Sequence, residues 1–145
     1  LAGALMHDTA SHPLPDIDQI RRFSEVVLVS DFLQPLDELT TLLDNLARRG
    51  VRAHLVEVAA PAEETFPYSG RTEFRDPETG TTLVAGRAET YAEDYRRLYI
   101  ARRDTLADFC RRLGWSFTVH RTDTPATKAL SRLHDALSVS SGSAR

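Results

Sequence analysis

The stretch EVVLVSDFL, Glu25 to Leu33, limits the possible folds of this chain more than any other. Val26–Val29 are four consecutive apolar residues, three of them β-branched, and the run stops at Ser30 and Asp31. An unbroken Val/Leu run predicts a strand buried on both faces, the habit of parallel strands covered by helices. A polar pair at its end lies where open α/β sheets place ligand chemistry, in the crevice beyond the strand carboxyl ends. Downstream, Pro35 suits the first turn of a helix, and Leu36, Leu39, Leu42, Leu43 and Leu46 form one apolar stripe. Gly50 supplies a left-handed stop, and Val51–Ala59 reads as a second strand. Strand, helix, strand in that order predicts a parallel βαβ unit with a right-handed crossover.

The remaining chain extends this α/β pattern. Residues 1–24, with Pro13 and Pro15, read as a connection; residues 25–137 form the domain, and Ser138–Arg145 reads as a disordered tail. Pro61–Gly70 reads as a loop, followed by a small hairpin of Arg71–Phe74 and Thr81–Val84 around the turn formers Asp76–Gly80. Ala88–Leu113 is the longest predicted helix, with Tyr91, Tyr95, Leu98, Phe109 and Leu113 on its core side and Leu106 nearby. Trp115–Arg121 alternates apolar and polar residues, as a strand at a sheet edge does. Thr124 is expected to cap a last helix with Pro125 at its first position and Leu130, Leu133 and Leu137 as its inner stripe.

Net charge is -3 over 145 residues, so no global basic field recruits nucleic acid or anionic lipid. The arginine pairs at 21–22, 48–49, 96–97, 102–103 and 111–112 read as solvated helix faces with acidic neighbours. Cys110 is the single cysteine, so no internal disulfide forms, and its place beside Phe109 predicts a small buried hydrophobe. No apolar run approaches the roughly 18–20 residues that span a bilayer, and no signal-peptide pattern opens the chain; the expected location is cytoplasmic. The chain begins at Leu1, not Met, as a piece of a longer protein would.

Asp31 is the residue with the most chemical interest. With the Ser30 hydroxyl it offers hard oxygen ligands for Mg²⁺ or Ca²⁺, although one carboxylate cannot fill an oxygen shell. From spacing alone, a cap for the following helix is the stronger reading. His7, His12, His54, His120 and His134 show no metal-ligand spacing, and no G-x-S-x-G elbow surrounds Ser30. His120 and Asp123 follow a strand of the same predicted sheet and could meet Asp31 across the strand ends. That leaves two readings. One is a non-enzymatic interaction module; the other is a small α/β hydrolase or phosphoryl-transfer enzyme using Asp31 with His120 or Asp123.

VVLVSDFL, the leucine helix, ARRGVRAHLVEV, PAEETFPYSGRTEF and RRLGWSFTVHRTD, in that order, resemble the bacterial domain-of-unknown-function family 58. Such proteins are similar to von Willebrand factor A domains, whose Rossmann-like three-layer sandwich carries a metal-ion-dependent adhesion site. The resemblance implies that Ser30-Asp31 matches the later strand-end motif of that site, with Phe32 where a glycine is usual. The earlier Asp-x-Ser-x-Ser motif is absent from this sequence, so the implied site is partial and empty unless other residues supply it with Mg²⁺ ligands. The chain is expected to be the C-terminal half of such a domain. The resemblance further implies an adaptor working with a MoxR-type AAA+ ATPase. An unprotected apolar strand also predicts a homodimer through the Glu25–Leu33 edge.

Overall fold

The structure, a computed structural model, describes residues 16–65, 72–75, 82–85 and 88–142. A 3₁₀ turn at Ile17–Gln19 leads into β1 (Glu25–Ser30), α1 (Leu36–Arg48), β2 (Arg52–Ala59) and the short α2 (Pro61–Thr65). A hairpin of β3 (Thr72–Arg75) and β4 (Thr82–Ala85) follows, then α3 (Ala88–Leu113), β5 (Ser116–Arg121) and α4 (Thr127–Gly142). The main sheet has three strands in the order β1-β2-β5, both pairings parallel, and β3 pairs antiparallel with β4 in a separate two-stranded sheet. The fold is therefore α/β, an open parallel sheet with flanking helices, compatible with a partial Rossmann-like sandwich. The predicted hairpin strands sit one residue later than expected, and the turn between them lies outside the described residues.

Register assigns each side chain to a face. Val26, Leu28 and Ser30 align with Ala53, Leu55 and Glu57, and the last two align with Phe117 and Val119. On this face Leu39, Leu43 and Leu46 of α1 join Leu106 and Cys110 of α3, Phe32, Trp115, Ala53 and Leu55 in the main core. The opposite face carries Glu25, Val27 and Val29 beside Arg52, His54 and Val56, then Ser116, Thr118 and His120. Helix α4 lies there, because Arg52 Nη1 donates to Ser140 Oγ at 2.6 Å.

Several expectations need correction. The strand with the buried run is β2, at Ala53–Glu57, not β1. Along β1 exposure alternates, with Val27 40% and Val29 62% exposed, because β1 lies at the sheet edge with only β2 beside it among the described strands. On α3 the inward stripe is Ala92, Tyr99, Leu106 and Cys110, whereas Leu98 and Leu113 are exposed. The stripe was misplaced because it also includes Arg103, which faces inward onto Glu57. Thr124 does not cap α4: its hydroxyl donates to the Arg121 carbonyl and the helix starts at Thr127. Ala129 is the buried residue of α4, and Leu130 is 61% exposed. The helix continues to Gly142, so residues 138–142 are helical where a disordered tail was expected.

Gly50 ends α1 with φ +71°, and a Cβ there would run into the Phe23 ring. The backbone beside that ring is held by the Phe23 N–H donating to the Arg49 carbonyl and by the Arg49 guanidinium donating to the Ile17 and Ile20 carbonyls. The start of β1 is thus pinned to the end of α1.

Candidate functional site

Beyond the carboxyl end of β1 the chain turns tightly. Ser30 Oγ accepts from the Phe32 N–H and Asp31 Oδ1 from the Leu33 N–H, both at 3.1 Å. Asp31 therefore caps its own turn and not α1, whose N-cap is Pro35 with no side-chain hydrogen bond. Phe32 takes φ +53° with a buried ring. A left-handed conformation is costly for a bulky residue. Burial of the ring and the Arg102 guanidinium hold it there: Arg102 Nη1 donates to the Phe32 carbonyl at 3.2 Å and to the Gln34 carbonyl at 2.5 Å.

Next to this turn, Glu57 on β2 is buried, 3% exposed. A buried carboxylate requires a paired charge and satisfied lone pairs. Arg103 provides both, with Nε 3.1 Å from each Glu57 oxygen and Nη2 2.7 Å from Oε1. The Tyr99 hydroxyl donates to the same Oε1 at 2.9 Å, and the Arg103 guanidinium lies 5.0 Å from the Tyr99 ring centre. Arg103 Nη2 also reaches Glu64 Oε1 at 2.8 Å, Arg121 Nη1 reaches Glu64 Oε2 at 3.4 Å, and Arg121 Nη2 pairs with Asp123 at 3.0 Å. Burial alone would lower the Arg103 pKa, but the hydrogen bonds to Glu57 and Glu64 outweigh it and hold the guanidinium above its usual range. A chain of alternating charges thus crosses the strand ends, and the crevice among Asp31, Phe32, Glu57, Tyr99, Arg102, Arg103 and Leu106 has no room for a water molecule.

Ser30 and Asp31 offer few free oxygens, and the nearby Arg102 and Arg103 bring positive charge. Among the described residues no three His, Cys, Asp or Glu side chains are grouped to hold a metal. Nor are Asp31, His120 and Asp123 joined by any hydrogen bond or ion pair among the described residues. Strand β2 separates β1 from β5, putting their backbones about 10 Å apart. His120 aligns with Val58 on the α4 face, and Asp123 is paired with Arg121. Cys110 is fully buried, and desolvation raises its thiol pKa to about 11, so it stays protonated and inert.

A second polar cluster lies at the opposite end of the sheet, on the α4 face. His54, 2% exposed, sits with Nε2 2.7 Å from Glu25 Oε1 and Nδ1 2.7 Å from Ser116 Oγ. A carboxylate only accepts, so Nε2 carries a hydrogen and donates to Glu25. Hydrogen bonds from Ser140 and then His54 hold the Glu25 carboxyl below the usual glutamate range. Serine, histidine and carboxylate in hydrogen-bonded series resemble an activated nucleophile. The adjoining cleft, of about 310 Å³, opens instead onto Phe23, Ser24, Glu25, Gly50, Arg52, Ser140 and Ser141. Ser116 is not among its walls, and the cluster ties β1, β2 and β5 together.

A family described as "Protein of unknown function DUF58" matches residues 10–105. The chain belongs to this family. The match covers β1 through most of α3, including Ser30, Asp31, Glu57, Glu64, Arg102 and Arg103, and ends before β5 and α4. No curated protein and no solved structure matches the chain. Of this DUF58 chain's described helices, none is long and apolar enough to cross a membrane. Sequence reading missed Glu57, Tyr99 and Arg103. The available signal was a glutamate inside an otherwise apolar strand, which requires a cationic partner elsewhere.

Proposed function

We propose that this DUF58 chain is a non-enzymatic protein-interaction or adaptor module of the von Willebrand factor A-like class. The observation that carries this reading is the filled strand-end crevice, where the charges of Glu57 and Arg103 satisfy each other. α/β enzymes keep this crevice open for ligands. Meanwhile the outer side of β1 has no described partner strand, and Val27 and Val29 are exposed beside it. Edge strands of this kind accept a further strand from a partner.

On this reading the chain works in the cytoplasm with a MoxR-type AAA+ ATPase, and two copies pair through the Glu25–Leu33 edge where no other chain occupies it. Mg²⁺ enters the Ser30-Asp31 turn only if further oxygen ligands come from outside the described residues. Sedimentation at micromolar concentration, with and without a MoxR-type ATPase, tests the reading. Self-association or ATPase binding that is lost in Val29→Lys is expected. A chain that stays monomeric and binds no such ATPase contradicts it, as does a tight one-site Mg²⁺ isotherm abolished by Asp31→Ala.

A further inference from the structure

The turn that leads into β1 carries an aromatic ring that the fold does not bury. Phe23 is 78% exposed and takes φ +58°, a costly conformation for a bulky residue. Burial of the ring does not offset that cost, and strain of this kind collects at functional surfaces. The ring lies against Gly50 at the end of α1, and arginines surround it. The Arg22 guanidinium is 5.6 Å from the ring centre. Arg21, Arg22, Arg48 and Arg52 are all exposed. Backbone hydrogen bonds hold their segments together: the Ser24 N–H donates to the Arg21 carbonyl, and the Arg52 N–H to the Ser24 carbonyl. Among the described residues Arg21, Arg22 and Arg48 form no ion pair, whereas Arg49 lies 4.0 Å from Asp18. Three guanidiniums therefore lack a carboxylate partner. Beside them the cleft of about 310 Å³, walled in part by Phe23, Gly50, Arg52, Ser140 and Ser141, has room for an apolar side chain.

We propose that this end of the sheet is a docking surface for an acidic segment of a protein partner. Carboxylates of the segment pair with Arg21, Arg22 and Arg48 while one apolar side chain enters the cleft against Phe23. An exposed aromatic ring and arginines around a cleft are the side chains that anchor protein interfaces. A nucleic acid fits less well, because its phosphates continue past this small patch over a chain of net charge -3. The inference rests on the interaction-module reading and names the partner's chemistry; its surface lies at the start of β1, away from Val29.

Fluorescence anisotropy of the intact chain with a labelled peptide of glutamates around one central leucine tests the surface. Arg21→Glu with Arg22→Glu should weaken binding about tenfold or more, with an unchanged unfolding curve because neither side chain is paired. Phe23→Ser should weaken it about tenfold and abolish the preference over a peptide of glutamates alone. Val29→Lys should bind as the unmodified chain does, which separates this surface from the β1 edge. Absent binding at micromolar peptide, equal binding by the charge-reversed chain, loss of binding in Val29→Lys, or tighter binding of a thymidine oligonucleotide of equal charge overturns the proposal. The interaction-module reading itself is decided separately, by self-association and ATPase binding.

Discussion

The two faces of one three-stranded sheet carry helices with similar leucine spacing and very different burial. On one side α1 and α3 enclose a continuous core, in which Leu46, Leu55 and Cys110 are fully buried. On the other, α4 presents Leu130 to solvent and buries a single alanine. Leu130, Leu133 and Leu137 repeat with the interval seen in α1, so spacing alone does not set the depth of a stripe. The strand face opposite sets it. Leu28, Ala53 and Leu55 give α1 and α3 an apolar surface, whereas Glu25, Arg52, His54 and Thr118 give α4 a mostly polar one.

The comparison can be broken most severely from the strand-end crevice. Arg103→Ala leaves Glu57 buried without its cation and should cost about 3–5 kcal/mol in chemical denaturation. Adding Glu57→Gln should recover part of that loss, because the orphaned charge goes with it. Leu46→Ala, at a fully buried site, should cost about 2–5 kcal/mol, while Leu130→Ala should change stability by no more than about 0.5 kcal/mol. Equal losses at the two leucines would erase the distinction between the faces.

Smaller effects sharpen it. Gly50→Ala should cost about 1–2 kcal/mol from the left-handed backbone, with a further loss unless the Phe23 ring moves. For pH, the Glu25 carboxyl is lowered in the folded state. Its contribution is therefore present above the ordinary glutamate range and is lost as pH falls through the lowered folded value. Glu25→Gln should flatten the acid limb of a stability profile and leave the neutral-to-alkaline shape unchanged.

Much of the fold was legible in the sequence because local signals agreed with tertiary demand. The Val26–Val29 run, the α1 leucines, Gly50 and the Ala88–Leu113 helix all correspond to described elements. The site was less legible for a physical reason. Glu57 and Arg103 are 46 residues apart and explain each other only when β2 and α3 are packed together. A stripe containing an arginine is read one step off by any count of apolar residues, which placed Leu98 inside and passed over Tyr99. Arg102 and Arg103, expected on a solvated face, instead clamp the β1 turn and neutralise the crevice. The sequence pointed to an open β1 edge but not to exposed Val27 and Val29 side chains, because an unbroken valine run reads as buried on both faces.

Native-state hydrogen exchange of the unmodified chain tests the difference between the faces most directly. Amides of Leu39–Leu46 should open only with global unfolding, tracking denaturant sensitivity and the labelling rate of buried Cys110. Amides of residues 136–142 should open by a local route at much lower free energy, with little denaturant dependence. One shared opening free energy for α1 and α4, with the same denaturant dependence, would contradict it.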